Sequence, residues 1–205
     1  SSKNQILIIK KYQKLQKEYQ TFSSIAHLNF AKNTKDNIAI EENNFYDEIG
    51  PEIAEIDNKF TKEIYSSKYR KELEHEFGSH FFKLIEMELK SFDPKLVSLM
   101  KKENQLTNKY RTLLAGAEIE FMGKITNLTG LSPYMQDTNR NTRKKAYQAL
   151  DIFFEKNKQE LDEIFDDLVN IRHQKGKKLG FKNFTPLGYL NMSRSDYGPK
   201  EVEEY

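Results

Sequence analysis

A mainly α-helical array of long helices with one small β-hairpin is the fold class the sequence predicts, and three observations predict it. Glycine and proline are scarce, 9 and 5 in 205 residues, so long segments escape the residues that interrupt helices. Apolar side chains recur every three or four positions over most of the chain, the spacing of one helical face. A single short stretch near residue 120 switches to strict alternation, the spacing of a strand.

The elements follow in order. Residues 4–27 carry Ile8, Ile9, Tyr12, Leu15, Tyr19 and Phe22 as a helical stripe. The polar run NFAKNTKDN at 29–37 ends it. A second helix spans 42–65, with Phe45, Ile49, Ile53, Ile56, Phe60 and Ile64 in phase. Pro51 inside it lacks a backbone donor, which implies a kink or a restart after Gly50. A third helix covers 68–90 through Tyr69, Leu73, Phe77, Phe81, Leu84 and Leu89.

SFDP at 91–94 marks a boundary, where Asp93 can cap a fourth helix that opens on Pro94. That helix reaches about Ala117 through Leu96, Leu99, Leu106, Tyr110 and Leu113. Period two then takes over in EIEFMGKITNL, with Ile119, Phe121 and Ile125 alternating with polar neighbours. This reads as a hairpin within 118–128 that turns at Met122-Gly123. GLSPYMQD is a connector or a short helix. Asn139 caps a very long helix over about 140–179, whose stripe includes Ala146, Leu150, Phe153, Leu161, Ile164, Phe165, Leu168, Ile171 and Leu179, and Gly180 ends it. Short helices follow near 184–191 and from Pro199, and PKEVEEY reads as the opening turns of a helix that continues further.

Composition excludes several function classes. With 12% aromatic and 37% hydrophobic residues the chain can build a core, which argues against disorder. Lys and Arg total 33 against 31 Asp and Glu, interleaved, so the one-sided basic stripe of a nucleic-acid binder is missing. No cysteine is present, which removes disulfides, thiolate chemistry and cysteine-bound zinc. The longest aliphatic run, ILII at 6–9, is far short of the roughly 20 residues of a membrane span. No signal peptide is visible, and the opening SSKNQ has no initiator Met.

The stretch HEFGSH, His75 to His80, is one residue away from the zinc-protease pattern H-E-x-x-H, in which the Glu, here Glu76, is the general base. Four helical residues return a side chain to within roughly 40° of its start, and five leave it about 140° away. His80, seven residues after Leu73, joins the apolar face and His75 the polar one, so the pair does not share an ion. His27 and His173 have no second histidine or carboxylate at ligand spacing. His173 belongs to a basic helix end that complements the dipole. Gly176, Gly180 and Gly188 do not make a phosphate loop, because no strand precedes them. Asp166 and Asp167 point about 100° apart and carry no catalytic information. Ser193 and Ser195 lack a hydrolase elbow. SRSDYG at 193–198 gathers Arg194, Asp196 and Tyr197 before a proline-started helix. Either Asp196 caps that helix with Arg194 paired to it, or the loop offers polar groups to a cleft.

Three stretches carry a family resemblance. They are YRKELEHEFGSHFFKLIEMELKSFDP, the run from ENQLTNKY through the hairpin to NTRKKAY, and LVNIRHQKGKKLGFKNFTPLGYLNMSRSDY. The most specific parts are Ile119, Phe121 and Gly123, the helix start Arg140, Arg143, Lys144, Lys145 and Ala146, and KKLGFKNFTPLGY. Together these resemble the N-terminal half of the oligoendopeptidase F family of zinc metallopeptidases, relatives of thimet oligopeptidase. The resemblance covers about 42–205 and leaves 1–40 as an unspecific lead helix. Asn139 stands where the family usually has Asp, and either caps a helix.

The resemblance implies part of a clam-shaped helical peptidase, with helices over 42–117, the hairpin at 118–128, and the long and short helices of 139–205. It implies a cytoplasmic enzyme that uses zinc to hydrolyse short oligopeptides, with no nucleic-acid or membrane partner. The family's H-E-x-x-H helix and third Glu ligand lie downstream of the stretch similar to NMSRSDY. No catalytic, cofactor-binding or metal residue is therefore carried onto this chain, which would bind no zinc and be inactive alone. It would form one wall of the substrate channel, and an uncovered apolar inner surface would favour self-association. The alternative is a self-contained helical interaction or scaffolding module without catalysis.

Overall fold

The computed structural model describes residues 1–205. Ten helices run through the chain: α1 (Ser2–Lys32), α2 (Asn37–Tyr65), α3 (Arg70–Phe77), α4 (Ser79–Ser91), α5 (Val97–Ala115), α6 (Leu128–Met135), α7 (Arg140–Lys156), α8 (Lys158–Lys178), α9 (Thr185–Asn191) and α10 (Pro199–Glu204). A 3-10 turn at Pro94–Leu96 leads into α5. The one sheet is an antiparallel pair, β1 (Ile119–Phe121) with β2 (Lys124–Thr126), and Phe121 faces Lys124 across the turn. Met122 and Gly123 both have positive φ, 52° and 75°, the twist that matches a two-residue turn to paired strands.

Two apolar cores form. In the first, Ile9 of α1, Ile64 of α2, Leu73 of α3 and Phe82 and Ile85 of α4 close on one another. In the second, Ile119 and Phe121 of the hairpin pack with Leu131 of α6 and Ala146 and Phe153 of α7. The long pairings of α5 with α2 and with α8 join them, and α9 packs on α4.

The helix caps follow residue chemistry. Asp36 accepts from the backbone N–H groups of Ile38 (2.9 Å) and Ala39 (3.2 Å) and starts α2. Asp93 accepts from Lys95 N–H at 3.0 Å, and Asn139 from Asn141 N–H at 2.8 Å. Each occupies an orphan donor of a first turn.

The sequence reading is corrected at three places. Residues 68–90 are not one helix. Gly78 adopts φ 84° and ψ 154°, a conformation nearly closed to residues with a Cβ, and separates α3 from α4. His80 consequently leaves the apolar face and is exposed, as is His75. The span 140–179 also divides, at Asn157. Its side-chain N–H donates to Phe153 C=O at 2.7 Å, the local competition that makes Asn a poor helix-interior residue.

In contrast, α2 runs through Pro51 without restarting after Gly50. Proline removes the donor for the carbonyl four residues back. Here that carbonyl belongs to Asp47, and Asn104 Nδ2 of α5 donates to it at 2.9 Å. Finally, the stripes rotate. Ile8, Leu15 and Phe22 on α1, Phe45 and Ile56 on α2, and Phe165 on α8 are exposed, while Ala26 and Phe30 turn inward.

Candidate functional site

The chain between α9 and α10 shapes a concave feature with an apolar floor. Thr185-Pro186 starts α9, and Ser193, with φ 53°, reverses the chain beyond it. This reversal lays Arg194 back over α9. Its guanidinium carbon sits 5.3 Å from the Tyr189 ring and 5.1 Å from the Tyr197 ring, distances at which cation and π-face attract. The cavity beside it has a volume of about 970 Å³, with Leu89, Phe92, Phe181, Pro186, Leu190 and Arg194 in its walls. Gly176 lets the underlying loop approach α8. A Cβ there would meet the Asn183 carbonyl oxygen at 2.5 Å, and Phe181 N–H donates to Gly176 C=O at 3.0 Å.

Of the two readings of SRSDYG, the pairing of Arg194 with Asp196 is not what the structure holds. Asp196 lies 3.6 Å from Lys83 Nζ and accepts from the Ser195 hydroxyl. The cap of α10 comes instead from Glu201, which accepts from Gly198 N–H at 2.7 Å and is thereby held below the usual carboxylate range. Arg194 and Tyr197 both face the cavity, and Asp196 does not line it.

Two polar clusters inside the helical array were not visible as sites in the sequence. Glu103 on α5 accepts from Arg172 Nε at 2.7 Å and Lys175 Nζ at 2.8 Å, both on α8. Burial resists ionisation of Glu103, but the two cations outweigh it and hold its carboxyl below the ordinary range. A signal existed: Ile164, Leu168, Ile171 and Lys175 share helical spacing, which places a lysine on an apolar face.

In the second cluster Tyr12 O–H and Gln16 Nε2 both donate to Asp57, Gln16 at 3.0 Å. Glu88 accepts from the Thr61 hydroxyl at 3.0 Å. Asp57, Glu88 and Lys175 line one cavity of about 540 Å³. Burial raises Glu88 above the usual carboxylate range against the Thr61 bond, and Asp57 adds to the rise. Burial and then Asp57 push the Tyr12 phenol above its ordinary value.

The remaining sequence candidates stay apart. His75 and His80 lie on different helices, and His173 is exposed near the end of α8. His27 Nε2 lies 3.5 Å from Asp47, whose other partners are Asn43 (2.7 Å) and Asn108 (2.6 Å). Asp166 and Asp167 are exposed. No three His, Asp or Glu side chains stand together so as to hold a metal ion. The residues of this chain therefore do not fit a zinc site, and no step through a metal is derived from them.

The chain is thus a helical array with a recessed pocket beside α9. Residues 1–92 match the family model described as the peptidase M3 N-terminal domain. The match takes in residues 1–40, to which no sequence motif had assigned a family.

Solved structures extend the likeness to the whole chain. An oligoendopeptidase F solved from crystals grown by microfluidic seeding is 35% identical, with a TM-score of 0.97 over 100% of this chain and 36% of its own. A second, from Bacillus anthracis str. Ames, is 35% identical with a TM-score of 0.96, over 100% of this chain and 38% of its own. PZ peptidase A, solved with an inhibitor, is 34% identical with a TM-score of 0.97, over 100% of this chain and 36% of its own. The chain has the fold of the N-terminal portion of oligoendopeptidase F and spans little more than a third of the length of these structures. No curated protein matched the chain in a sequence comparison.

Proposed function

We propose that the chain is the N-terminal helical region of a cytoplasmic, zinc-dependent oligoendopeptidase that hydrolyses short peptides, and that it forms one wall of the substrate channel. The carrying observation is the agreement along the full chain with two oligoendopeptidase F structures and PZ peptidase A. All of residues 1–205 then act as one non-catalytic region. The zinc ligands and the general base belong to polypeptide outside it. The wall excludes folded proteins and positions extended peptides, and a zinc ion held by polypeptide outside it would supply the Lewis-acid chemistry.

Exposed apolar residues on α1, among them Leu15 at 61% and Phe22 at 62% exposure, support a surface meant to be covered. The test has two readouts. The isolated chain, incubated with zinc and an internally quenched peptide, is expected to show neither stoichiometric zinc nor turnover. Turnover abolished by a chelator would overturn this division of labour. An H-E-x-x-H segment encoded beyond Tyr205 supports the peptidase, and a stop codon there favours the scaffolding module instead.

A further inference from the structure

Arg194 is a guanidinium without a carboxylate. Its one adjacent acid in sequence, Asp196, has turned to Lys83, and the Tyr189 and Tyr197 rings near it can neither neutralise it nor accept its five N–H donors in their fork geometry. The pocket it borders is similarly unbalanced. Lys90, Lys95, Lys182 and Arg194 line it against one carboxylate, Asp93. Two of these cations are already engaged, Lys95 with Asp93 at 3.3 Å and Lys90 with Glu86 at 2.6 Å. Lys182 and Arg194 are left facing an apolar floor of Phe92, Phe181, Pro186 and Leu190. A concave, mostly apolar cavity with a few convergent polar groups is the form of a ligand site, and the polar groups here are cationic.

We propose that this pocket binds the C-terminal residues of a peptide. The free carboxylate is received by Arg194, and a bulky apolar terminal side chain rests on the Phe92–Phe181–Leu190 floor. Several physical points favour this occupant over others. A planar guanidinium pairs with a carboxylate through two parallel N–H···O bonds. The cation–π contacts to Tyr189 and Tyr197, at 5.3 and 5.1 Å, hold Arg194 beside the pocket in advance, so less side-chain freedom is lost on binding. Charge complementarity asks for an anion, and the floor asks for an apolar group within reach of it. A C-terminal Leu or Phe joins both in one residue. Lys182, exposed at the rim, steers the anion without fixing its orientation. The choice of a peptide rests on the oligopeptidase reading above. It adds a terminal-carboxylate anchor in the wall, which measures a peptide from its C-terminal end.

The test is equilibrium binding to the 205-residue chain, with fluorescence anisotropy of a labelled pentapeptide ending in Leu, as the free acid and as the C-terminal amide. The acid is expected to bind about tenfold tighter than the amide, the worth of one charge-assisted pairing. Arg194→Gln removes that preference, so that acid and amide bind alike. Arg194→Lys recovers part of it, because charge is restored without the fork.

The wild-type comparison of acid with amide stands even where a variant folds poorly. Equal affinities for acid and amide overturn the proposal, as does absence of binding or a preference that survives Arg194→Gln. Sedimentation at the same concentrations adds one more outcome: a dimer that the peptide cannot displace assigns the pocket to a second copy and overturns it too. None of these results touches zinc or turnover, so failure of the anchor and failure of the peptidase reading are distinguishable.

Discussion

Replacing Glu103 by Gln removes one negative charge from between two cations and leaves the geometry nearly intact. Lys175 is buried and Glu103 partly buried, with side-chain exposures of 11% and 17%, whereas Arg172 is 43% exposed. Breaking a buried pair by removing one partner costs about 3–5 kcal/mol, because the remaining charge is stranded. Arg172 can recover solvation, and Lys175 also faces the cavity lined by Asp57 and Glu88. The expected loss is therefore at or below the low end, about 2–3 kcal/mol. Replacing both charges by apolar groups, Glu103→Leu with Lys175→Met, strands nothing and should recover most of that loss.

The pH dependence gives an independent reading. The Glu103 carboxyl is lowered in the folded protein, so its contribution is complete above the unfolded carboxylate value of about 4.3 and is lost as pH falls through the folded value. Urea unfolding followed by far-ultraviolet circular dichroism at pH 7 and at successive steps below pH 4.5 measures both effects. The gap between wild type and Glu103→Gln should be full at pH 7 and narrow steadily in acid. A gap under about 0.5 kcal/mol at pH 7, within the range of ordinary surface changes, would refute the reasoning. An equal gap at all pH values would refute the electrostatic cause.

Two further substitutions test other parts of the fold. Gly78→Ala should lower the unfolding free energy measured in urea through backbone strain alone, by about 1–3 kcal/mol, since no atom lies within 4 Å of the added Cβ; an unfolding free energy equal to wild type would contradict the strain at this position. Glu88→Gln should stabilise at pH 8 and be nearly neutral at pH 4. The folded carboxyl is raised, so its stabilising share is present at low pH and is lost as pH rises through the folded value. A destabilised variant at pH 8 would contradict that sign.

Periodicity located nearly every helix, because the apolar stripes and the caps Asp93 and Asn139 are local properties of the chain. It also placed the hairpin and its turn, since alternation and Gly123 are equally local. What failed depended on backbone choices that spacing does not encode. Gly78 sits within an unbroken apolar pattern from Leu73 to Leu84, so only its φ reveals two helices. The consequence for chemistry is direct: His75 and His80 fail to pair not through divergence on one helix, but because a break puts them on two. Arg194 and Tyr197 were legible as a cluster, yet their shared cavity arises from Phe92 and Phe181, which are distant in sequence. Glu103 meets Arg172 and Lys175 across 69 and 72 residues, and only the lysine on an apolar stripe hinted at it.

Pro51 shows how such distant pairings fix the position of α5. A proline inside α2 leaves the Asp47 carbonyl without its helical donor, a buried deficit that would ordinarily disfavour the helix. Asn104 supplies the donor at 2.9 Å, and Asn108, one turn later on the same face of α5, donates to the Asp47 carboxylate at 2.6 Å. These bonds reward one register of α5 against α2, which apolar contact alone would leave free to slide. The neighbouring residue Glu103 then meets Lys175 on α8. Since α8 carries Gly176 against the loop beneath the 970 Å³ pocket, the register set at Pro51 is transmitted to the floor on which the peptide terminus is proposed to rest.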